Sequence, residues 1–367
     1  MIDFSPRPAV TPAPLRHFRL AVFSIGLPCQ GQKRGGIEQV AHDLANALVS
    51  RGHHVTVFTY DPKPTGASYD VSLLPGRAFV NSWLGRRLTM GYLANVFAVL
   101  PGYRGYDAVL AHGDSLLLPL TGRPVIRIMH GTALEEAQSA TSVGRRLLQL
   151  GVYAQELLTA ATQRGTVGIS ENTRRFNPFV RRVIPDGIDL RVFQPAAGTR
   201  NPRPMLLFVG AMGGRKRGAW MLDLFTTRIT LAFPDAVLHM VSPPGPVTPG
   251  VIYHTGIDRD ALADLYRQAW LFVSPSTYEG FGLPYVEAMA CGTPVVATPN
   301  PGSREVLSDG RYGRLVSDDV FADTICALLA DDVERARMTR DGLRRAADFD
   351  ILTSARAYES LLEELVA

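Results

Sequence analysis

The sequence predicts an α/β chain of two Rossmann-like, doubly wound domains facing each other across a central cleft. Three observations predict it. Short apolar runs alternate with stretches of helical apolar spacing along almost the whole chain, the signature of strand–helix–strand units in parallel sheets. The alternation breaks once, at the Pro-, Gly- and polar-rich PAAGTRNPRP of 195–204, which reads as a linker. The chain's 367 residues also exceed the ~250–300 at which one hydrophobic core stops growing. The division expected is a flexible Pro-rich tail over 1–17, a first domain over 18–198 and a second over 199–349.

The elements follow in order. FRLAVFSI (18–25) reads as a buried strand. A loop carrying Gly35-Gly36 then leads into a helix from about Ile37 to Ser50, with Val40, Leu44, Ala47 and Leu48 at helical spacing. Gly52 stops it, and HHVTVFTY completes the first strand–helix–strand unit. DAVLA ending at His112, PVIRIM at His130, GTVGI at Ser170 and RRVI at Pro185 continue the series. PMLLFVG opens the second series, followed by VLHMVS, VIYHTG, LFVS, TPVVAT and RLV. The last segment, Asp350 to Val366, carries Leu352, Ala355, Tyr358, Leu361, Leu362 and Leu365 on one stripe. Periodicity leaves open which domain that stripe covers.

Composition excludes several classes. With 46% hydrophobic and 20% charged residues the chain is an ordinary globular one. No window approaches the ~20 apolar residues of a membrane-spanning helix, and the N-terminus lacks a secretory h-region, so a soluble cytoplasmic protein is expected. Cys29, Cys291 and Cys326 share no CxxC spacing. The net charge is +4, but 35 arginines and three lysines are spread among 34 acids, so no nucleic-acid partner is predicted. One basic cluster, Arg77, Arg86, Arg87 and Arg104, is interleaved with Trp83, Tyr92, Phe97 and Tyr103. Its ordinary reading is a solvated helix face with aromatic anchors; its functional reading is contact with an anionic membrane surface, as a peripheral protein, or with an anionic acceptor.

Ligands of open α/β sheets bind beyond the carboxyl ends of the strands. That rule selects Gly35, Gly36, His112, His130, Ser170, Gly210 to Gly214, Ser274 and Glu279. Within STYEGFGLPYVEAMACGTPVVAT (276–298), Pro284 fits a helix start and Gly292 its stop. Phe281, Gly282 and Leu283 then present backbone N–H groups at a helix N-terminus, suited to a phosphate or a sugar hydroxyl. Glu279 and Glu287 reach one ligand from different heights, and Glu287 suits neutral ribose hydroxyls. Taken singly, Glu279 reads as a helix-end charge and Glu287 as an exposed helix residue. The loop Gly210–Gly214 with Arg215-Lys216-Arg217 is a second anion candidate, because glycines admit the anion and the cations neutralise it.

Other signals fail. There is no GxGxxG at 210–214, no GxxxxGK[ST], no HExxH and no GxSxG. Asp258-Arg-Asp260 and Asp348-Phe-Asp350 mimic a metal-binding DxD, but each reads as a helix N-cap. Neither a metal nor another cofactor is expected, and Cys291 reads as a small buried helix-end residue.

The ordered set Gly35-Gly36-Ile-Glu38, His130-Gly131-Thr132, Ser170-Glu171-Asn172, VIPDGID, Gly210 to Gly218 and Glu279-Gly-Phe-Gly-Leu-Pro-Tyr-Val-Glu287 resembles the retaining GT-B glycosyltransferases of family 4. The resemblance implies a nucleotide-sugar held between the domains, with the last helix, 350–367, returning to the first. It implies Lys216 on the donor pyrophosphate, Glu279 on hydroxyls of the transferred sugar and His130 beside the sugar or acceptor hydroxyl, these three being the catalytic set. Gly35, Gly36, Gly210, Arg215, Phe281, Gly282, Leu283 and Glu287 complete the donor site, with His112 and Ser170 on the acceptor side. The expected activity moves a hexose or N-acetylhexosamine, UDP-linked before GDP-mannose, to an acceptor hydroxyl without metal. The acceptor is unassigned among small metabolite, glycan and lipid-linked precursor. The alternatives are a nucleotide-sugar binding protein and an epimerase. Two residues depart from the family pattern: Ala211 replaces an Arg, whose charge Arg215 or Arg217 would supply, and Asp186 replaces an Asn.

Overall fold

The computed structural model describes residues 16–28, 36–82, 96–139, 142–163 and 165–366. Its first sheet contains β1 (Arg19–Phe23), β2 (His54–Thr59), β3 (Asp70–Leu73), β4 (Ala108–His112), β5 (Val125–Met129), β6 (Gly165–Gly168) and β7 (Arg182–Val183). The second contains β8 (Met205–Val209), β9 (Val237–Val241), β10 (Val251–His254), β11 (Leu271–Ser274), β12 (Val295–Ala297) and β13 (Arg314–Leu315). Their orders are 3-2-1-4-5-6-7 and 10-9-8-11-12-13, with parallel pairing throughout the described ladders. Each order reverses once, between β1 and β4 and between β8 and β11, and at such a reversal the flanking loops diverge and leave a crevice.

The apolar runs form strands because both faces of the central strands are covered. Every residue of β4, β5, β11 and β12 is buried, as expected for parallel strands with helices on both sides. Sequence reading misses β3. This edge strand, DVSL, is partly exposed along its length and so lacks a continuous apolar run.

The 195–204 segment is fastened to the second domain. Arg200 donates to the carbonyls of Ala269 and Gly292 and to the Thr293 hydroxyl, while Trp270 Nε1 donates to Asn201 O at 2.7 Å. Beside it the chain crosses back. Ile188 N donates to Phe349 O at 2.9 Å and Ile351 N to Ile188 O at 3.0 Å. Gly187 permits this contact, since a Cβ there would lie 2.6 Å from Ile351 Cα. The terminal helix, Ile351–Val366, thereby reaches the first domain and packs on the Gly36–Ser50 helix. This decides what periodicity left open.

A buried carboxylate fixes that return. Glu359, with 7% of its side chain exposed, accepts from Arg51 Nε and from His53 Nε2. Burial alone would raise its pKa, but hydrogen bonds from Arg51 and His53 and their charges outweigh burial and hold it below 4.5. A carboxyl depressed in the folded state stabilises it above its unfolded pKa, and that contribution disappears as pH falls through the folded value. Glu359→Ala is expected to lower the unfolding free energy by about 1–3 kcal/mol in urea titrations near neutrality. The deficit relative to the parent protein should shrink below pH ~4; an unchanged deficit there would show that the carboxylate's charge is not the source.

Candidate active site

The reversal in the second sheet puts two distant loops side by side. The loop after β8 carries Lys216 and the loop after β11 carries Glu279; Thr277 N donates to Arg215 O at 2.9 Å and stitches them together. Lys216 Nζ lies 2.6 Å from Glu279 Oε1, with side-chain exposures of 20% and 8%. The contact is an ion pair without hydrogen-bond alignment. Gly210 makes room for it: a Cβ there would stand 3.0 Å from Lys216 Cβ. The structure thus places Gly210 under the lysine's stem.

The two arginines beside Lys216 differ. Arg217, in the left-handed region at φ 57°, donates to both carboxylate oxygens of Asp318 and stacks over Trp220. Arg215 lies over the Tyr278 ring, donates to Tyr278 O at 3.2 Å and stands 3.8 Å from Glu279. Only Arg215 of the two shares the Lys216–Glu279 locus.

The next helix, Leu283–Ala290, starts with Gly282 in the left-handed region at φ 101° and has Pro284 in its first turn. A Cβ at Gly282 would strike the Tyr285 ring at 2.4 Å. Phe281 is buried edge-on against Phe349, and Leu283 is half-buried. Glu287 is half-buried, not the exposed residue its ordinary reading gave. Its Oε2 accepts from Tyr266 at 2.9 Å, and burial raises its pKa against the opposing effects of Tyr266 and Arg259. Ser274 is buried and hydrogen-bonded to Ser276 and Tyr285.

The first domain closes over this surface. A Cβ on Gly36 would lie 3.9 Å from Leu283, and one on Gly280 would lie 3.0 Å from His130 O. Arg259 reaches across to Asp43 at 2.7 Å, Tyr278 donates to Glu135 at 3.0 Å, and both Glu305 oxygens accept from Glu171 N. Asn172 holds Glu135 from behind. Burial pushes the Asp43 carboxyl up to about 6 despite Arg259. His130, ending the β5 run, faces His112 from β4 at 3.0 Å and Asp186 at 3.4 Å.

Ser170 is fully buried, and its hydroxyl caps the Glu171–Phe176 helix by accepting from Thr173 N. Gly35 lies outside the described residues, as do Cys29, Trp83, Arg86, Arg87 and Tyr92. Asp258 and Asp350 accept helix-start N–H groups, as the capping reading expects. Asp43, Glu135, Arg259, Tyr266, Tyr278 and Glu305 escaped sequence reasoning; Tyr278 and Arg259 sit inside stretches read for their neighbours Glu279 and Asp258, and the other four are single charged or aromatic residues on helices with no motif around them. A separate cavity of about 340 Å³, lined by Arg19, His54 and Asp70 among others, sits at the opposite, amino ends of β1–β3. Ligands of such sheets bind at the carboxyl ends, so that cavity is not the site.

Comparison with known proteins agrees. Residues 34–192 match the model of Glycosyltransferase Family 4, and 203–331 match Glycosyl transferases group 1. A D-inositol 3-phosphate glycosyltransferase of Frankia alni is 32% identical, over 88% of this chain and 92% of its own. The chain belongs to glycosyltransferase family 4. This family 4 enzyme is also 28% identical to a phosphatidyl-myo-inositol mannosyltransferase of Mycobacterium tuberculosis, over 89% and 93% of the two chains. Its fold matches that of sucrose-phosphate synthase from Thermosynechococcus elongatus, with TM-score 0.76, 23% identity and coverage of 95% and 99%. It also matches Anabaena HepE solved with UDP and glucose, with TM-score 0.71, 17% identity and coverage of 95% and 100%. The GT-B fold and the transferase class follow, and the binding-protein and epimerase alternatives fall.

Gly302 tests how tightly the Glu279 loop is held. A Cβ there would meet Phe281 O at 2.4 Å and Glu279 O at 2.9 Å. Gly302→Ala is expected to displace this loop and cost about 1–3 kcal/mol. Thermal melting should show the loss, and calorimetry should show weakened nucleotide binding.

Proposed function

We propose that this glycosyltransferase moves a hexose or N-acetylhexosamine from a nucleotide-sugar, UDP-linked before GDP-linked, to an acceptor hydroxyl with retention of anomeric configuration. The observation that carries the reading is the Lys216–Glu279 pair beside the N-terminus of the Leu283–Ala290 helix. A donor diphosphate takes the ammonium of Lys216, with Arg215 adding charge, and the transferred sugar's hydroxyls donate to Glu279. Glu287 accepts from the ribose. Lys216 acts where negative charge develops on the leaving phosphate. The C1–O bond to phosphate breaks, the acceptor oxygen bonds to C1 on the same face, and its proton passes to the departing phosphate oxygen. The cations of the loop supply the charge that a metal would otherwise bring, so turnover in EDTA is expected. The inositol-bearing acceptors named for the relatives make an inositol hydroxyl the first acceptor to try.

Glu279→Gln should lower kcat by about 10²–10³ with nucleotide affinity nearly unchanged. Lys216→Gln removes a charged contact to phosphate worth about 1.5–3 kcal/mol and should weaken UDP binding ~10- to 100-fold. A calorimetric screen of UDP, GDP and ADP in EDTA, followed by anomer assignment of the product by NMR, checks donor and stereochemistry. Full nucleotide affinity in Lys216→Gln would refute the diphosphate assignment.

We also propose that the enzyme works at a membrane surface, for a reason other than the Arg77–Arg104 cluster. Arg77 faces Asp61 at 3.6 Å, and Arg86 and Arg87 lie outside the described residues. Instead, the Val143–Thr162 helix buries Gln149, Gln155 and Glu156 and exposes Val143, Leu147, Leu150 and Leu158 beside Arg146. An apolar stripe with a flanking arginine suits an anionic interface. No helix among the described residues is long and apolar enough to cross a membrane. Co-sedimentation with phosphatidylinositol vesicles should fall at least about tenfold in a Leu147→Glu, Leu158→Glu variant, given ~1.5–3 kcal/mol for each buried leucine.

A further inference from the structure

Asp186 stands where similar enzymes carry Asn, and the structure gives that departure a partner. It follows β7 and is buried, with 6% of its side chain exposed, as is that of His130. The carboxylate lies 3.4 Å from His130 Nδ1, too long for a strong hydrogen bond but close enough for its charge to select where the ring proton sits. The ring's other nitrogen, Nε2, lies 3.0 Å from Nδ1 of His112, and the two rings stack 16° from parallel. His112 is buried, and its own Nε2 has no hydrogen-bond partner among the described residues. Burial holds its pKa well down, so His112 is neutral.

Only two proton arrangements satisfy the His112–His130 hydrogen bond when both rings are neutral. If His130 carries its proton on Nε2, its bare Nδ1 lone pair confronts an anionic carboxylate, and His112 buries an unpaired N–H. If His130 carries it on Nδ1, the proton faces Asp186, His112 Nδ1–H donates to His130 Nε2, and the orphan is only a lone pair on His112. Orphaned acceptors are tolerated better than orphaned N–H donors, so both ends of the row favour the second arrangement. Asn at 186 could turn its amide to suit either one; Asp cannot.

We propose that Asp186 is a positioning residue that fixes His130 in the Nδ1–H form, so that Nε2 accepts from and orients the acceptor hydroxyl as it docks, before that hydroxyl turns its proton to the departing phosphate oxygen. His112 occupies the same lone pair until that hydroxyl replaces it. The proposal rests on the glycosyl-transfer reading for its catalytic consequence, but not for the proton arrangement itself. The row also depends on the return of the terminal helix. Tyr358 of that helix is buried close enough to Asp186 for the carboxylate's charge to add to burial in raising its pKa, and Ser354 donates to Pro185 O at 2.8 Å.

The test is long-range 1H–15N correlation on 15N-histidine-labelled protein, with His130→Gln identifying the His130 signals. The parent protein should show a protonated Nδ1 and a bare Nε2 on His130. Asp186→Asn, nearly isosteric, should shift the ring toward a mixture of forms. With the best donor and acceptor, kcat should fall about 10²-fold, the scale of a misplaced reacting group, with nucleotide affinity unchanged. A protonated Nε2 in the parent protein overturns the proposal. So does an Asp186→Asn variant with unaltered kcat, whether or not its tautomer changes. If no donor and acceptor pair supports transfer at all, the reading of the site fails instead, and the 15N spectra still decide what Asp186 does to His130.

Discussion

The site depends on one electrostatic contact, between an ammonium and a carboxylate that lie sixty-three residues apart in the chain. Lys216 and Glu279 meet because β8 and β11 are neighbours at the point where the strand order of the second sheet reverses. Each charge alone would pay heavily for its burial, and each makes the other tolerable. The same pairing aims both groups at one spot, where a donor's two halves require opposite things: cation for the diphosphate, acceptor for the sugar hydroxyls. Gly210 and Gly302 serve this contact by leaving room, one under the lysine stem and one behind the carboxylate's loop.

A second constraint is the double crossing between domains. Ile188 and the Phe349–Ile351 segment exchange backbone hydrogen bonds, so the chain leaves and re-enters the first domain at one place. The terminal helix is then secured by Glu359 near its middle, and the adjacent Tyr358 backs Asp186. The bonds closing the cleft are of a different kind. Arg259 with Asp43, Tyr278 with Glu135, and Glu305 with the Glu171 amide are single polar contacts at loop and helix ends. Contacts of this size can be exchanged for ligand contacts at little net cost, whereas the contacts at the crossing are backbone pairs flanked by buried apolar side chains.

The Val143–Thr162 helix shows why patterning misleads when a core is polar. Its inward face carries Gln149, Gln155 and Glu156, because Arg127 is buried beneath it on β5 and donates to Glu156 O, while Asp114 accepts from Gln155. The helix therefore presents leucines outward, the reverse of the usual amphipathic arrangement. Apolar periodicity alone would turn those leucines inward.

The sequence by itself determined the alternation of strands and helices, the linker, the start and stop of the Leu283–Ala290 helix and the loops that carry Lys216 and Glu279. These are local: a strand's apolar run, a proline or glycine at a helix end and a cation in a glycine-rich loop act within a few residues. Tertiary structure decided the rest. That Arg217 is spent on Asp318 while Arg215 faces Glu279, that Ser170 caps a helix, that Asp43 and Arg259 bracket Glu287, and that Asp186 meets His130 are matters of strand order and domain closure. Strand order is fixed by long-range packing of faces that look alike in sequence, since any buried parallel strand is an apolar run. The partners it brings together leave no periodic trace of one another.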